Sequence, residues 1–182
     1  GFAKALGGNQ VQLYRDLPTR EAPGNVVSMP HTGRGAVVRS LAAAVDVRDG
    51  YTHEHSRLVS ELSAAVARSI GLATAEIGRV KIGALLHDVG KIGVPDSILA
   101  KEGGLSAEEW DCVRRHPVLG KQIMEQAPEL VDVMPLVLHH QERYDGTGYP
   151  SQLRGEAIPL GARIIAAAGP LTASCGPTSP CR

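Results

Sequence analysis

The residues best suited to chemistry in this 182-residue chain are histidines that lie beside an acidic or a second histidine side chain. His87 is followed at once by Asp88, and Lys91 comes three residues later. His139 and His140 are adjacent and precede a glycine-rich loop. Imidazole and carboxylate groups are suitable ligands for Mn, Fe, Zn or Mg, and no thiolate is involved. The pattern therefore favours a metal site built from nitrogen and oxygen ligands.

A single His-Asp pair can serve two metal ions, because an aspartate can bridge two cations about 3.5–4 Å apart. Two ions held in this way lower the pKa of a bound water, deliver hydroxide to phosphorus and neutralise the phosphoryl oxygens. Lys91, at the end of the same predicted helix, would hold a non-bridging phosphate oxygen. These residue types at this spacing favour hydrolysis of a phosphate ester.

Each of these residues also has an ordinary structural interpretation. A single histidine on a helix is most often a surface or core side chain, and this interpretation suits His31 and His53. The His-Asp and His-His pairs are each weak signals when taken alone. Their combination is stronger, because His-Asp-x-Gly-Lys on an apolar helix is followed by His-Pro and by a His pair before Asp-Gly-x-Gly-Tyr-Pro.

The elements that must position these residues are predicted to be helices, since apolar side chains recur at helical spacing from residue 36 onward. Ser106 and Glu109 form a capping-box signature, and Gly71 is placed as a C-cap. No alternating strand is evident after Gly35. The predicted fold is an all-α bundle of about seven helices, over residues 36–49, 52–70, 74–89, 106 onward, 117 onward, 128–141 and 159 onward.

Composition excludes several other functions and locations. Lys plus Arg equals Asp plus Glu at 19 each, so duplex nucleic acid is a poor partner because it demands an excess of basic residues. The three cysteines form no C-x-x-C, which fits a reducing cytoplasm. No membrane span of roughly 18 apolar residues and no signal peptide is visible. The chain opens with Gly1, so we expect a cytoplasmic excerpt of a longer protein whose other parts could be membrane-attached.

The motifs together resemble the HD-GYP branch of the HD-domain phosphohydrolases. The resemblance covers about residues 36–167 and is carried by residues 85–96 (LLHDVGKIGVPD), 105–120, and 139–150 (HHQERYDGTGYP). It implies a helical domain that binds two or three metal ions and hydrolyses cyclic di-GMP to pGpG or GMP. It also implies Fe or Mn as the native metals, with Mg, Zn or Ni as alternatives.

Position by position, the resemblance implies a ligand set and a catalytic pair. Lys91 matches the lysine that binds the substrate phosphate, and Asp88 is expected to bridge the metals and share in catalysis. Tyr51 stands where some members carry a glutamate for a third metal, so two ions are expected. An alignment on Glu142 instead places Gln141 where a histidine often stands. The implied metal ligands are His55, His87, Asp88, His116, His139 and His140.

The resemblance also assigns the Gly-Tyr-Pro loop and the partners. The loop is expected to border the active site and to contact partner domains through Asp145, Gly146, Gly148, Tyr149 and Pro150. Residues 1–17 resemble the closing helix and strand of a diguanylate cyclase (GGDEF) domain, and residues 18–35 have the composition of a linker. The expected partners are cyclic di-GMP and a GGDEF domain in cis or in trans, and a homodimer is allowed.

The end of the chain departs from the family pattern. The family continues with Ala-Asp-x-x-Asp-Ala, whose first aspartate is a metal ligand, but here Gly169 and Thr172 occupy the two aspartate positions. Residues 36–168 are therefore expected to form the domain, and 169–182 an atypical tail that reflects either divergence or a truncated or frameshifted reading frame. Loss of an anionic ligand keeps a second hypothesis open: a weakened module that binds nucleotide or a GGDEF partner without turnover.

Overall fold

The structure is a computed structural model that describes residues 33–49 and 54–173, with side chains described over 33–45 and 55–171. The predicted GGDEF-like segment lies outside the described residues, as do His31, Tyr51, His53 and most of the predicted linker. The last residues of that linker are described, and Arg34 already begins the first helix.

The described part of the chain contains helices and no strand, so the all-α prediction is confirmed. Three short 3₁₀-helices link the longer elements: Val89–Gly93, Pro128–Leu130 and Gly155–Ala157. The α-helices are α1 (Arg34–Asp49), α2 (Glu54–Ser69), α3 (Thr74–Leu86), α4 (Asp96–Leu99), α5 (Ala107–Arg114), α6 (His116–Met124), α7 (Met134–Leu138) and α8 (Leu160–Ala173).

The local signals at helix ends behave as the sequence predicts. The hydroxyl of Ser106 accepts the Glu109 N–H at 3.3 Å, and the Glu109 carboxylate accepts the Ser106 N–H at 2.7 Å. This reciprocal pair satisfies two backbone donors that the start of a helix leaves without partners. Gly71 follows α2 with φ +80°, the left-handed conformation that glycine adopts at low cost. The capping-box and C-cap predictions are confirmed.

Two predicted helices are wrong in extent. The single helix predicted over 128–141 is a 3₁₀ turn followed by the separate helix α7, because Pro128 and Pro135 each lie in the first turn of their own element. Proline lacks an N–H and clashes with the preceding turn, so it starts helices rather than continuing them. The helix predicted over 74–89 ends at Leu86, and Lys91 lies on the following 3₁₀-helix rather than on the same helix.

The core places the end of α3 between two apolar clusters. One cluster joins α2, α3 and α8 through Val59, Ala84, Ile165 and Ala168. The other joins α1 to α6, α7 and the 3₁₀ segment after α3. Because α3 contributes to both clusters, the residues that follow it enter the interior of the bundle. Within the described residues, no helix combines the length and the apolar character that crossing a bilayer requires.

Candidate metal centre

His87 and Asp88 are buried at the point where α3 ends and the Val89–Gly93 turn begins. Gly90 brings this turn against the start of α6. A Cβ at position 90 would lie 2.5 Å from the Gly120 nitrogen and closer still to the His116 carbonyl oxygen. Only a residue without a side chain permits so close an approach of two backbones. The glycine of the His-Asp-x-Gly-Lys motif therefore sets the distance between His116 and Asp88.

Asp88 is the centre of the resulting cluster. Its Oδ1 lies 3.4 Å from His116 Nε2 and 3.9 Å from His140 Nε2. Its Oδ2 lies 3.3 Å from His87 Nε2 and 2.7 Å from Lys91 Nζ. The carboxylate thus contacts imidazoles on one oxygen and both an imidazole and a cation on the other. The two oxygens of Asp88 therefore face different polar neighbours.

Three histidine rings are held by the same backbone contact. The Nδ1–H groups of His87, His116 and His140 each donate to the carbonyl three residues earlier, at 2.7 Å in every case. The accepting carbonyls belong to Ala84, Val113 and Val137, which lie at or near the ends of α3, α5 and α7. A hydrogen bond at Nδ1 fixes the tautomer and leaves Nε2 as a lone-pair donor. All three Nε2 atoms then face Asp88.

The arrangement of these nitrogens fits a cation. His116 Nε2 and His140 Nε2 are 3.2 Å apart, and with both Nδ1 atoms protonated their lone pairs would repel. One ligand atom each from Asp88, His116 and His140 lies within 4.8 Å of the others. A divalent ion shared by these atoms relieves the repulsion and uses the ligand types that Mn, Fe, Zn and Mg accept. The buried Asp/His/His cluster therefore suits a divalent metal.

The protonation states of the imidazoles agree with this role. Burial lowers the pKa of His140 to about 3, and the neighbouring His87 and His116 act in the same direction. Burial also lowers the pKa of His116, against the opposing effect of Asp88. Metal ligation requires neutral imidazole, so both rings are in the competent form at neutral pH.

The carboxylate and its immediate neighbours form the charged part of the cluster. Burial would raise the pKa of Asp88, but the adjacent His87 and Lys91 outweigh it and hold that pKa well below its usual range. Burial lowers the pKa of His87, yet the charge and hydrogen bond of Asp88 and the Ala84 carbonyl raise it overall. Asp88 is thus an ionised carboxylate in the interior, which costs free energy unless cations surround it.

The adjacent histidines His139 and His140 differ in position. His140 is buried in the cluster, whereas His139 Nδ1 points to Glu142 Oε1 at 3.6 Å. His139 is not among the residues whose ligand atoms converge in the described part of the chain. Instead, the Gln141 amide nitrogen lies 3.1 Å from His140 Nε2. Consecutive side chains point in different directions. His140 and Gln141 face the cluster, whereas His139 lies outside it.

Four further predicted site residues line one cleft of about 790 Å³ with the cluster: His55, Lys91, Gly148 and Tyr149. The ring of His55, on α2, lies 6.1 Å from that of His87. Gly169 also lines the cleft, because α8 continues through Gly169 and Pro170 to Ala173. A Cβ at position 169 would meet no heavy atom within 4 Å. Position 169, where the resemblance leads us to expect a metal-binding aspartate, therefore borders the cleft and has room for a side chain.

The Gly-Tyr-Pro loop is tied to the cluster by Glu142, a residue that the sequence analysis assigned no role. Its buried carboxylate accepts the backbone N–H groups of Ser151 at 2.7 Å and Leu153 at 3.1 Å. No signal in the sequence identifies this role, because the burial of the Glu142 carboxylate is a property of the fold. Gly148 packs on the backbone of this segment, since a Cβ there would lie 2.5 Å from Glu142 Cα.

The other loop residues divide between the cleft and the surface. The ring of Tyr149 lies 6.4 Å from that of His116, and burial together with Asp88 raises its pKa to about 12. Asp145 is exposed and accepts the N–H of Thr147 at 2.9 Å, which closes the turn at Gly146. Pro150 follows Tyr149 through a cis peptide bond. The loop thus borders the cleft with Tyr149 and Gly148 and presents Asp145 to solvent.

Comparison with known proteins agrees with these motifs. A family model described as HD domain matches residues 39–182. The cyclic di-GMP phosphodiesterase response regulator RpfG of Xanthomonas campestris is 43% identical over 130 residues, which cover 70% of this chain and 34% of the relative. A cyclic di-GMP phosphodiesterase of Vibrio cholerae is 38% identical over 90% of this chain and 36% of its own length. The 3'3'-cGAMP-specific phosphodiesterase 2 of the same species is 35% identical over 87% and 31%.

A solved structure supports the same assignment. Bd1817, an HDG"Y"P protein from Bdellovibrio bacteriovorus, superimposes with a TM-score of 0.57 at 26% identity, covering 72% of this chain and 44% of that one. The chain spans about a third of the length of the curated relatives above. The resemblance to HD-GYP proteins is confirmed, and the chain belongs to the HD-domain family.

Proposed function

We propose that this chain is a metal-dependent phosphodiesterase module that hydrolyses cyclic di-GMP to pGpG or GMP in bacterial second-messenger signalling. The observation that carries the proposal is the buried cluster of Asp88 with neutral His116 and His140, open to a cleft beside Lys91. The names of the relatives supply the substrate class, since they act on cyclic di-GMP or 3'3'-cGAMP. Both molecules are cyclic dinucleotides joined by phosphodiester bonds.

Two divalent ions, Fe or Mn in the first instance, would occupy the cluster. When bound, they supply Lewis acidity toward the phosphoryl oxygens and lower the pKa of a water molecule. Asp88 would bind both ions, because its two oxygens lie near different imidazoles. His55, His87, His116 and His140 would complete the set, with the Gln141 amide beside His140.

The residues of the chain position the substrate and control charge. Lys91 Nζ lies 2.7 Å from Asp88, so its ammonium group stands at the edge of the cluster where a phosphate oxygen would be held. A lysine suits this role as a point charge, since it has no lone pair for a metal while it is protonated. The Nδ1 hydrogen bonds keep the imidazoles from turning, which preserves ligand geometry when substrate binds.

A second candidate, a module that binds nucleotide or a GGDEF domain without turnover, is favoured by one observation. Position 169, where the resemblance leads us to expect an anionic ligand, borders the cleft but is glycine with open space around it. Among the described residues that converge there, Asp88 would then be the single carboxylate available to offset the charge of two divalent ions. Weaker metal retention would reduce turnover while leaving the cleft able to bind nucleotide.

The deciding experiment measures metal content and hydrolysis together. The purified chain, supplied with Mn²⁺ or with Fe²⁺ without oxygen, is incubated with cyclic di-GMP, and products are separated by chromatography. We expect about two ions per chain and formation of pGpG or GMP, both lost in Asp88→Asn. Asp132→Asn is the matched control, because the ion pair of Asp132 with Arg34 is exposed. Nucleotide binding without product at full metal occupancy would establish the non-enzymatic module instead.

A further inference from the structure

One wall of the cleft is formed by side chains of α5 that are not among the proposed metal ligands. Trp110, Val113 and Arg114 line it. Trp110 is the single tryptophan of the chain, and it is 42% exposed although large apolar side chains are usually covered. An exposed indole that lines the cleft offers a flat π-surface to a ligand.

The spacing of these residues connects them to the metal centre. Positions 110, 113 and 114 are related by three and four residues, so they share one face of α5. The Val113 carbonyl accepts the Nδ1–H of His116, which places this face next to a ligand of the cluster. Trp110 lies one helical turn from Val113, about 5 Å along the helix axis. A nucleotide whose phosphate lies at the cluster would therefore carry its base toward Trp110.

Arg114 adds a charged hydrogen-bond donor to the same face. Its guanidinium carbon lies 6.0 Å from the centre of the Trp110 ring, at the limit of a cation–π contact. Among the described residues, Arg114 forms one ion pair, and it is long: its guanidinium nitrogen lies 3.6 Å from the exposed Asp111 carboxylate oxygen. The guanidinium is thus held near the indole and keeps donors that a ligand can use.

We propose that Trp110 stacks on a purine of the cyclic dinucleotide and that Arg114 selects guanine at this position. Every base presents a π-face for stacking on an aromatic side chain. Guanine offers two acceptors, O6 and N7, to the paired donors of an arginine, whereas adenine presents an amino group where guanine has O6. This inference rests on the proposed function and deepens it, because it assigns the residues that separate guanine from adenine in the same cleft.

The single tryptophan makes stacking directly measurable. The whole chain, with its metals, is titrated with hydrolysis-resistant phosphorothioate analogues of cyclic di-GMP and cyclic di-AMP and with ribose 5-phosphate as a base-free probe. Affinity is measured by calorimetry and stacking by tryptophan fluorescence. We expect the guanine analogue to bind and quench Trp110, and ribose 5-phosphate to leave its emission unchanged.

Variants then separate stacking from selection. Trp110→Leu keeps an apolar side chain but removes the ring, and it should weaken binding of the guanine analogue by about 10-fold or more. Arg114→Gln should reduce the guanine-to-adenine affinity ratio by about 10-fold, because glutamine pairs with adenine rather than guanine. Arg115→Gln makes the same charge change at an exposed residue outside the cleft and should leave both affinities unchanged.

The outcomes distinguish this inference from the proposed function. Tight binding of the guanine analogue with no change in Trp110 emission, and with Trp110→Leu unaffected, overturns the stacking role while the proposed function stands. An equal loss of affinity for both analogues in Arg114→Gln overturns the selective role and makes Arg114 a general phosphate contact. Absence of binding by either analogue to the metal-loaded chain overturns both.

Discussion

Replacing Gly90 by alanine should damage the fold and the metal centre together. The new Cβ would lie 2.5 Å from the Gly120 nitrogen and closer to the His116 carbonyl oxygen, whereas real Cβ contacts essentially never fall below 3.0 Å. Both neighbours are backbone atoms, so no rotamer change can relieve the clash. The start of α6 would have to withdraw by roughly 1 Å in an interior packed without spare volume.

The size of the effect follows from this geometry. Overpacking usually lowers stability by about 1–3 kcal/mol. A clash with backbone atoms on two sides should cost the upper value of that range or more. We expect the free energy of unfolding to fall by about 3 kcal/mol or more, which lowers Tm by roughly 6–12 °C for a domain of this size. Since His116 moves with its carbonyl, metal content should fall too. A misplacement of about 1 Å typically costs on the order of 100-fold in activity.

Thermal unfolding followed by circular dichroism, with metal analysis of the same samples, is the assay. Gly78→Ala is the matched control, because Gly78 lies inside α3 and a Cβ there would meet no heavy atom within 4 Å. That substitution should stabilise the chain by about 0.5–1 kcal/mol through the helix preference of alanine. A Gly90→Ala chain that melts with wild-type Tm and keeps its metal would refute the argument that this glycine sets the position of His116.

Further predictions concern individual side chains of the cleft. His140→Ala should lose metal while its neighbour His139→Ala retains it, because only His140 reaches the cluster; equal metal loss in both would restore His139 as a ligand. Lys91→Ala should keep the metals but lose most turnover of cyclic di-GMP, and a parallel fall in metal content would contradict its role as a phosphate contact. Gly169→Asp should raise metal occupancy, since the new carboxylate enters open space that faces the cluster, and addition of Pro170→Ala tests whether the proline in α8 limits the gain. No gain from either version would mean that the missing ligand is not what limits the site.

Several features of this protein are determined locally and could be predicted from the sequence. The helical spacing of apolar residues, the Ser106–Glu109 capping box and the glycine after α2 each depend on residues a few positions apart. The same holds for the Asp88–Lys91 contact, which joins residues three positions apart. The helix predicted over 128–141 is wrong for a local reason too, since Pro135 lies at the start of a separate helix.

The tertiary structure alone decided which side chains converge. The sequence shows that His139, His140 and Gln141 are consecutive, but not which of them point inward, because that depends on how the end of α7 packs against α6. The sequence identifies Gly90 and Gly148 as glycines of the motifs. Only the fold brings the backbone segments that these glycines approach next to them. The sequence cannot show that Glu142 holds the loop or that Trp110 and Arg114 line the cleft. Spacing along a chain fixes only neighbours within a few residues, whereas a site made of separate helices depends on how those helices pack.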